Sequence, residues 1–408
     1  MTGLIGIVVL LGIAFLFSES RKSIKALEVG RLLLLQTAIA GFALFTPIGV
    51  GVLSTVSRGV QKMLSYAQDG ISFMFGPIAD PANGMVLAFQ VLPVIIFIGA
   101  LMSLAFYFRI MDVIIKYLGG TLRFLTGASR LESICAAANV FVGMAEAPLT
   151  IAPYLNKITR SQLFVMMALG LSSVAGTVLF AYAALGIRSD LLITAAFMSA
   201  PGGLLMGRML VPETETPFDI TKEDAEKVDN RKAGSFVEAA TNGALTGLQI
   251  MLSVIAVLIA FLAVIALLNG ILGGIGSWFG ADNLSLEGLF SYIFQPLAFI
   301  IGVPWEESRQ AGIYLGQKVI LNEFLAYASF APKISSFSDQ GQIAITMALC
   351  GFANFSGLAI LLAGLSALVP ERKSEISKLG LKTVLAGNLS NFMSASIVSV
   401  LLALAALI

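Results

Sequence analysis

The chain has 408 residues, 57% of them hydrophobic and only 12% charged, with 25 basic and 24 acidic side chains and a formal net charge of +1. Soluble domains carry about a quarter charged residues, so this composition belongs to a protein solvated mainly by lipid, and no basic tract in it suits nucleic acid. Histidine is absent, which excludes histidine-ligated metal centres, histidine-based catalytic triads and histidine proton relays.

A bilayer core needs about 20 apolar residues per spanning helix. In chain order, eight candidates lie near 3–18, 30–50, 86–108, 162–186, 190–210, 236–270, 342–368 and 380–407. The first begins without a basic lead and without a small-residue cleavage site, so it reads as a transmembrane helix rather than a signal peptide. Val60 to Tyr66 and Met111 to Leu118 mix apolar and polar residues at helical spacing, the pattern of helices lying in the interface. Two shorter broken pieces, near 129–158 and 291–331, read as re-entrant hairpins, which are tolerated at membrane depth only where protein or a wet cavity surrounds the backbone. The run near 236–270 is too long for a perpendicular span and is expected to tilt or project. Glu213 to Lys232 is the one clearly hydrophilic stretch and reads as an exposed loop between two membrane halves. Cys135 and Cys350 lie far apart in apolar segments, as small buried hydrophobes rather than a disulfide.

Orientation follows from the basic residues in the loops. Arg21, Lys22, Lys25 and Arg31 follow the first span, which puts that loop in the cytoplasm and the N-terminus outside. The alternation then places Lys157 with Arg160, Lys222 with Lys227, Arg231 with Lys232, and Arg372, Lys373, Lys378 and Lys382 inside as well. The C-terminus falls outside.

Within this apolar chain, Asn139 to Leu149 holds an Asn, a Gly, the carboxylate of Glu146 and Pro148. A carboxylate in a membrane-buried segment is expensive and points to function, while Gly and Pro free backbone groups that can hold an ion or polar solute. A second such segment, Gly316 to Phe324, carries Glu323. Each is preceded by an amphipathic lead-in and followed by a helix interrupted by small and polar residues: Leu171 to Val178 in the first copy, Cys350 to Gly357 in the second. The chain therefore divides into N-terminal transmembrane helices (1–111), a first repeat (112–210), a loop with a long helix (211–282) and a second repeat (283–408). Two broken, acid-bearing segments in two repeats are the pattern of a secondary transporter with its site near the midplane.

Blander readings exist for each residue. Glu146 beside Pro148 can end a helix at the interface, Glu323 can pair with Lys318 within one helix, Asn139 and Asn354 can be interhelical hydrogen-bond glue, and Ser173 can serve packing. Glu306 and Glu307 fit a hairpin turn, and Asn322 is placed to orient Glu323. An intramembrane enzyme using Glu146 and Glu323 as an acid–base pair lacks a nucleophile and a metal-ligand cluster. A channel is a third class, separated from a carrier by whether transport saturates and concentrates solute.

Asn139 through Leu155, Ser172 through Tyr182, Gly302 to Trp305, Leu321 to Phe324 with Ala326 and Tyr327, Ala348 through Ser356, and the tail from Leu379 to Ser396 together resemble the concentrative nucleoside transporters, in order and over nearly the whole chain. The resemblance implies an all-α polytopic membrane protein with about eight transmembrane helices, two re-entrant hairpins, interfacial helices and inverted repeats. It further implies an elevator-type homotrimer in a bacterial inner membrane, coupling nucleoside uptake to sodium or protons, with no other cofactor. In that family the first hairpin tip usually carries Gln, Thr and Glu towards the base. Here Glu146 matches, while Met144 and Ala145 replace the amide and hydroxyl, which leaves room for a modified nucleoside as cargo. Val178 takes the position that packs on the base. Glu323 and Asn354 match the pair that holds the ribose hydroxyls, Phe352 lines the same pocket, and Ser356 is followed by Gly357 where a second serine is common. Asn139, the Val142 carbonyl, the Ser173 hydroxyl and the Val174 carbonyl match the family's sodium positions, so the resemblance favours sodium over a proton.

Overall fold

The computed structural model describes residues 2–80, 82, 84, 86–144, 146–221, 233–278 and 284–407. Every regular element among them is helical. Inside a bilayer an unpaired backbone group costs several kcal/mol, and a helix pairs nearly all of its own. The loop residues Lys222, Lys227, Arg231 and Lys232, read above as cytoplasmic, lie outside the described residues, as does Ala145.

The N-terminal part of the chain forms α1 (Thr2–Leu16), α2 (Ala26–Phe45), α3 (Pro47–Phe75), the short α4 (Leu87–Gln90), α5 (Val94–Tyr107) and α6 (Ile110–Thr126). The Thr46 side chain accepts from Gly49 N at 3.0 Å, and Pro47 starts α3 at the position where its missing N–H costs nothing. Both segments expected to be amphipathic are helical. α6 buries Met111, Ile115 and Leu122 on one face and exposes Val113, Ile114, Tyr117 and Phe124 on the other.

Two copies of one element order follow. The first is α7 (Arg130–Asn139), a 3-10 segment (Ala147–Tyr154), the broken pair α8 (Arg160–Ser172) and α9 (Gly176–Ala184), and α10 (Ser189–Leu210). The long α11 (Phe236–Trp278) and α12 (Leu286–Ile300) come between. The second copy is α13 (Trp305–Ile320), α14 (Glu323–Phe330), the broken pair α15 (Asp339–Leu349) and α16 (Phe355–Leu368), and α17 (Lys373–Ala405). Reciprocal capping boxes start α7, from Ser129 and Glu132, and α8, from Thr159 and Gln162.

Six helical stretches among the described residues are long and apolar enough to cross a bilayer. α1, at 15 residues, and α16, at 14 residues after its break from α15, occupy the other two expected positions. The piece near 291–331 is more divided than its hydropathy suggests. α12 and α13 meet at a bend of 118°, because Gly302 adopts a φ of 113° and Pro304 cannot continue a helix.

α8, α10 and α17 form the centre. They pack on one another, and α10 also packs on α2. α8 is buried from Ser161 through Ser172, whereas α11 buries only one residue per turn or two along its 43 residues and leaves Leu252, Ile259, Leu262 and Leu267 uncovered. A helix this apolar overall and largely uncovered suits lipid or another membrane protein surface.

Three basic loops gather on one side of the molecule. Glu19, after α1, pairs with Arg160 at 2.9 Å and with Lys382 at 2.9 Å, and Arg372 donates to the Leu155 and Ile158 carbonyls at 3.0 and 2.9 Å. The loops read as lying on one face of the membrane are thus joined directly.

α5 and α11 approach at backbone distance. A Cβ at Gly247 would stand 2.6 Å from the Ile95 carbonyl oxygen, and one at Gly243 would stand 2.4 Å from that of Gly99. Small residues four apart allow this contact, which replaces the hydrophobic driving force that lipid removes. Gly247→Val is expected to push the two helices apart, costing about 1–3 kcal/mol. Thermal unfolding in detergent should show a melting temperature several degrees lower, with Gly270→Val, at an open position, unchanged.

Candidate functional site

The site begins where helices stop early. α8 ends at Ser172 and α9 restarts at Gly176; α15 ends at Leu349 and α16 restarts at Phe355. Each interruption frees carbonyls at one helix end and N–H groups at the next. Some find partners at once: Phe352 N donates across the two copies to the Ser173 carbonyl at 3.1 Å, and within the first copy Gly176 N donates to the Phe141 carbonyl at 2.9 Å. Asn391 of α17 completes the crossing, its Nδ2 donating to the carbonyls of Ser172 at 2.7 Å and Cys350 at 2.9 Å.

Glu323 is the first residue of α14 and only 5% exposed. Its Oε1 accepts from the Tyr182 hydroxyl at 2.9 Å and its Oε2 from Asn354 Nδ2 at 2.6 Å. The positive end of the helix dipole supplements these donors. Asn354 also caps α16, its Oδ1 accepting from Gly357 N at 2.7 Å, so one side chain ends the break and grips the carboxylate. A Cβ at Gly357 would lie 2.2 Å from the Phe352 carbonyl oxygen; the tight cap leaves no room for the second serine of the family pattern. Asn322 has a different task from the one expected. Its side chain accepts from Leu325 N at 2.7 Å and caps α14 rather than orienting Glu323. Lys318 and Glu323 belong to different helices, and the Lys318 ammonium donates to Asn391 Oδ1 at 2.8 Å.

A cavity of about 700 Å³ opens in front of Glu323. Met144, Glu146, Val178, Glu323, Phe352, Asn354 and Ser356 all reach it, so every described residue of the expected base and ribose sets lines one space. The opposite wall consists of residues that sequence reading did not single out: Ser103 and Phe106 of α5, and Asn242, Thr246, Gln249 and Ser253 of α11. The polar members of α11 recur at three- and four-residue spacing, a stripe legible in the sequence as one wetted face of an apolar helix. Tyr182 was also missed. It stands behind Glu323, fully buried against Phe324 and Tyr327, with ring centroids 5.6 and 4.5 Å away.

The four positions expected to hold an ion lie in the first hairpin tip and the adjacent break. Val142 reaches the cavity, while Asn139, Ser173 and Val174 are buried behind it. Asn139 Nδ2 donates to the Cys135 carbonyl at 3.0 Å. Its Oδ1 is buried without a protein partner, and so is Ser173 Oγ. Buried oxygens are rarely left without a partner. Two of them at neighbouring helix breaks fit a small hard cation, which prefers oxygen ligands.

Other candidates resolve into structure. Glu307 accepts from Ser338 N at 2.8 Å and from Ser338 Oγ at 3.1 Å, bracketing the turn before α15. Cys135 and Cys350 are free and buried. Among the described residues no cluster of His, Cys, Asp and Glu is suited to a metal.

Comparison with known proteins gives a consistent result along the whole chain. Residues 5–78 match the family described as Na+ dependent nucleoside transporter N-terminus, residues 88–188 match nucleoside recognition, and residues 191–399 match Na+ dependent nucleoside transporter C-terminus. The chain is 47% identical to the uncharacterized transporter YutK of Bacillus subtilis, covering 97% of this chain and 98% of the relative. It is 42% identical to the nucleoside permease NupC of Helicobacter pylori over 98% of this chain and 97% of the relative. Human solute carrier family 28 member 3 is 36% identical, with 97% of this chain matching 59% of that longer protein. The structure of CNTnw in an inward-facing, substrate-bound state superposes with a TM-score of 0.94 at 41% identity, covering 99% of this chain and 98% of the other. Variants of CNTnw in an outward-facing state superpose nearly as well. These relatives are transporters and permeases, and the shared fold is that of an elevator-type carrier.

Asn354→Ala removes both the cap of α16 and a donor to Glu323, at a cost of about 1–2 kcal/mol for the cap and a further 1.5–3 kcal/mol for the charge-assisted bond. Tyr182→Phe removes only one donor. Thermal unfolding of the two variants is expected to rank Asn354→Ala as clearly the more damaging.

Proposed function

This chain belongs to the concentrative nucleoside transporter family, and on that premise we propose that it is a sodium-coupled symporter that imports nucleosides. The observation that carries the reading is the Glu323–Asn354 pair facing the cavity, with the partnerless oxygens of Asn139 and Ser173 buried behind it.

A buried carboxylate held by two donors keeps lone pairs for a solute, and vicinal ribose hydroxyls supply the matching donors. Asn354, fixed by its cap, holds the carboxylate in place for that contact, and Ser356 adds a hydroxyl at the same edge. Phe352, Val178 and Met144 offer an apolar surface to the base, with Glu146 as the polar group on that side. Because Met144 supplies no amide at the hairpin tip, selectivity among bases rests on shape and on Glu146, which favours tolerance of modified rings. Ala145, outside the described residues, belongs to the same proposal by sequence alone.

Sodium would be held by Asn139 Oδ1 and Ser173 Oγ, with the Val142 and Val174 carbonyls. Coupling follows from shared backbone. The hairpin tip that carries Asn139 also carries Met144 and Glu146, and the Phe141–Gly176 bond ties it to the break that carries Ser173. An ion that orders this tip favours the arrangement that also binds nucleoside, so each raises the affinity for the other. The absence of histidine from the chain and the hard oxygens of the pair favour sodium over a proton. The two repeats would move as a body against α5 and α11, whose polar stripe forms the fixed wall of the cavity. The largely uncovered α11 suits a trimeric scaffold. The clustered basic loops favour a cytoplasmic position for that face, with both termini on the outer side of the inner membrane.

Radiolabelled uridine and adenosine uptake into proteoliposomes tests the reading. Accumulation is expected with external sodium and not with choline, at fixed pH. Accumulation driven only by an inward proton gradient would keep the cargo and discard the sodium assignment. Glu323→Gln is expected to abolish ribonucleoside binding in equilibrium dialysis, and normal affinity would remove Glu323 from the site. Ser173→Ala should raise the sodium concentration for half-maximal uptake about tenfold, as expected for one lost ligand of about 1.4 kcal/mol, with uptake recovering at saturating sodium.

A further inference from the structure

The two copies of the hairpin and broken-helix plan treat their crossing points differently. At the first, α7 ends beside the α8–α9 break, and two buried oxygens, Asn139 Oδ1 and Ser173 Oγ, have no protein donor. The corresponding crossing of the second copy lies where α13 ends beside the α15–α16 break. A lysine stands there. Lys318 lies in the last turn of α13 and is 0% exposed. Its ammonium donates to Asn391 Oδ1 at 2.8 Å and sits 5.0 Å from the centroid of the Phe392 ring. The Glu323 carboxylate attracts it electrostatically without a direct ion-pair contact among the described residues.

A buried charge needs compensation. Part of it comes from the electrostatic attraction of the buried Glu323 carboxylate, and the direct contact runs through Asn391, whose amide nitrogen binds the carbonyl of Ser172, the last residue of α8, and that of Cys350, just past the end of α15. Both are C-terminal helix ends, which carry partial negative charge. The ammonium polarises the amide that grips them, and the Phe392 face adds cation–π attraction. One positive charge thus holds both breaks together, and Ser172 directly precedes the proposed ion ligand Ser173.

We propose that the Lys318 ammonium is a built-in cation that occupies, in the second repeat, the structural place a dissociable ion takes in the first, and that it positions the two broken helices through Asn391. The comparison between repeats rests on the Asn139–Ser173 reading above; the role of Lys318 in holding the breaks does not. Lys318 is a positioning residue, since it does not line the cavity.

Replacing the side chain with a smaller one should therefore create a site for an added cation. Lys318→Ala is expected to lower nucleoside affinity about tenfold, the loss of one charge-assisted hydrogen bond. Propylammonium, which restores the missing atoms and charge, should recover it, while 1-propanol should not. Sodium should also recover it, with the Hill coefficient of the sodium dependence rising from about one to about two as a second ion binds. Lys318→Met, which fills the space without charge, should lose affinity and respond to neither addition. Unchanged affinity in Lys318→Ala, or equal recovery by 1-propanol, would overturn the proposal. The unmodified protein gives an independent check where a variant does not fold. A flux ratio of about one sodium per nucleoside is expected, and a ratio of about two would show a second ion that Lys318 should have replaced. Transport of nucleoside without sodium would correct the coupling ion alone, because the propylammonium experiment reads binding in either case.

Discussion

Backbone freed inside the membrane must find partners, and the rest of this structure depends on how that is met. Four half-helices stop near the middle of the molecule, at Ser172, Gly176, Leu349 and Phe355. Lipid cannot hydrogen-bond their ends. The chain satisfies part of the demand internally, through Phe352 N on the Ser173 carbonyl, Gly176 N on the Phe141 carbonyl, and the Asn391 amide on two carbonyls at once. At the first break two side-chain oxygens, Asn139 Oδ1 and Ser173 Oγ, are buried without a protein partner, and they have the chemistry of an ion site.

This division of labour explains why asparagine recurs. Asn322 and Asn354 cap α14 and α16, and Asn388 and Asn391 of α17 bind carbonyls in the second break. An amide is neutral, so it costs less to bury than a charge, and it offers both a donor and an acceptor. Asn354 uses both functions, with its oxygen on a backbone N–H and its nitrogen on Glu323. Asn139 uses its nitrogen on the Cys135 carbonyl and leaves its oxygen without a partner. The same residue type thus finishes structure at the helix caps and leaves buried oxygens without a protein partner at Asn139 and Asn388.

The two sides of the cavity meet different physical demands. The side carrying Glu323 and Asn354 is knitted by side-chain hydrogen bonds, which fixes its geometry. The side formed by α5 and α11 is held by glycine-mediated backbone contact at Gly99, Gly243 and Gly247. A body held together internally is suited to move as a unit.

Much of this was legible in the sequence, for reasons that follow from the membrane. Charge and amide groups are so costly in lipid that Glu146, Glu323, Asn139 and Asn354 stand out against their surroundings, and hydropathy alone locates the long spans. Met144, Val178, Phe352 and Ser356 could be added because the pattern around them resembles a known family. The roles of Tyr182, Asn322 and Lys318 could not be read in that way. A tyrosine in an apolar helix looks like packing, and only the fold brings its hydroxyl to within 2.9 Å of a carboxylate 141 positions away. Asn322 beside Glu323 looks like its partner, until the helix start between them turns it into a cap. Lys318, five positions before Glu323, invites reading the two as an ion pair, but the helix ends between them, and Asn391, 73 positions on, takes the ammonium. Sequence by itself determined which residues are too polar for lipid to tolerate, because that cost is local. Which partner each of them meets is set by long-range packing across the two repeats, and only the tertiary structure decided it.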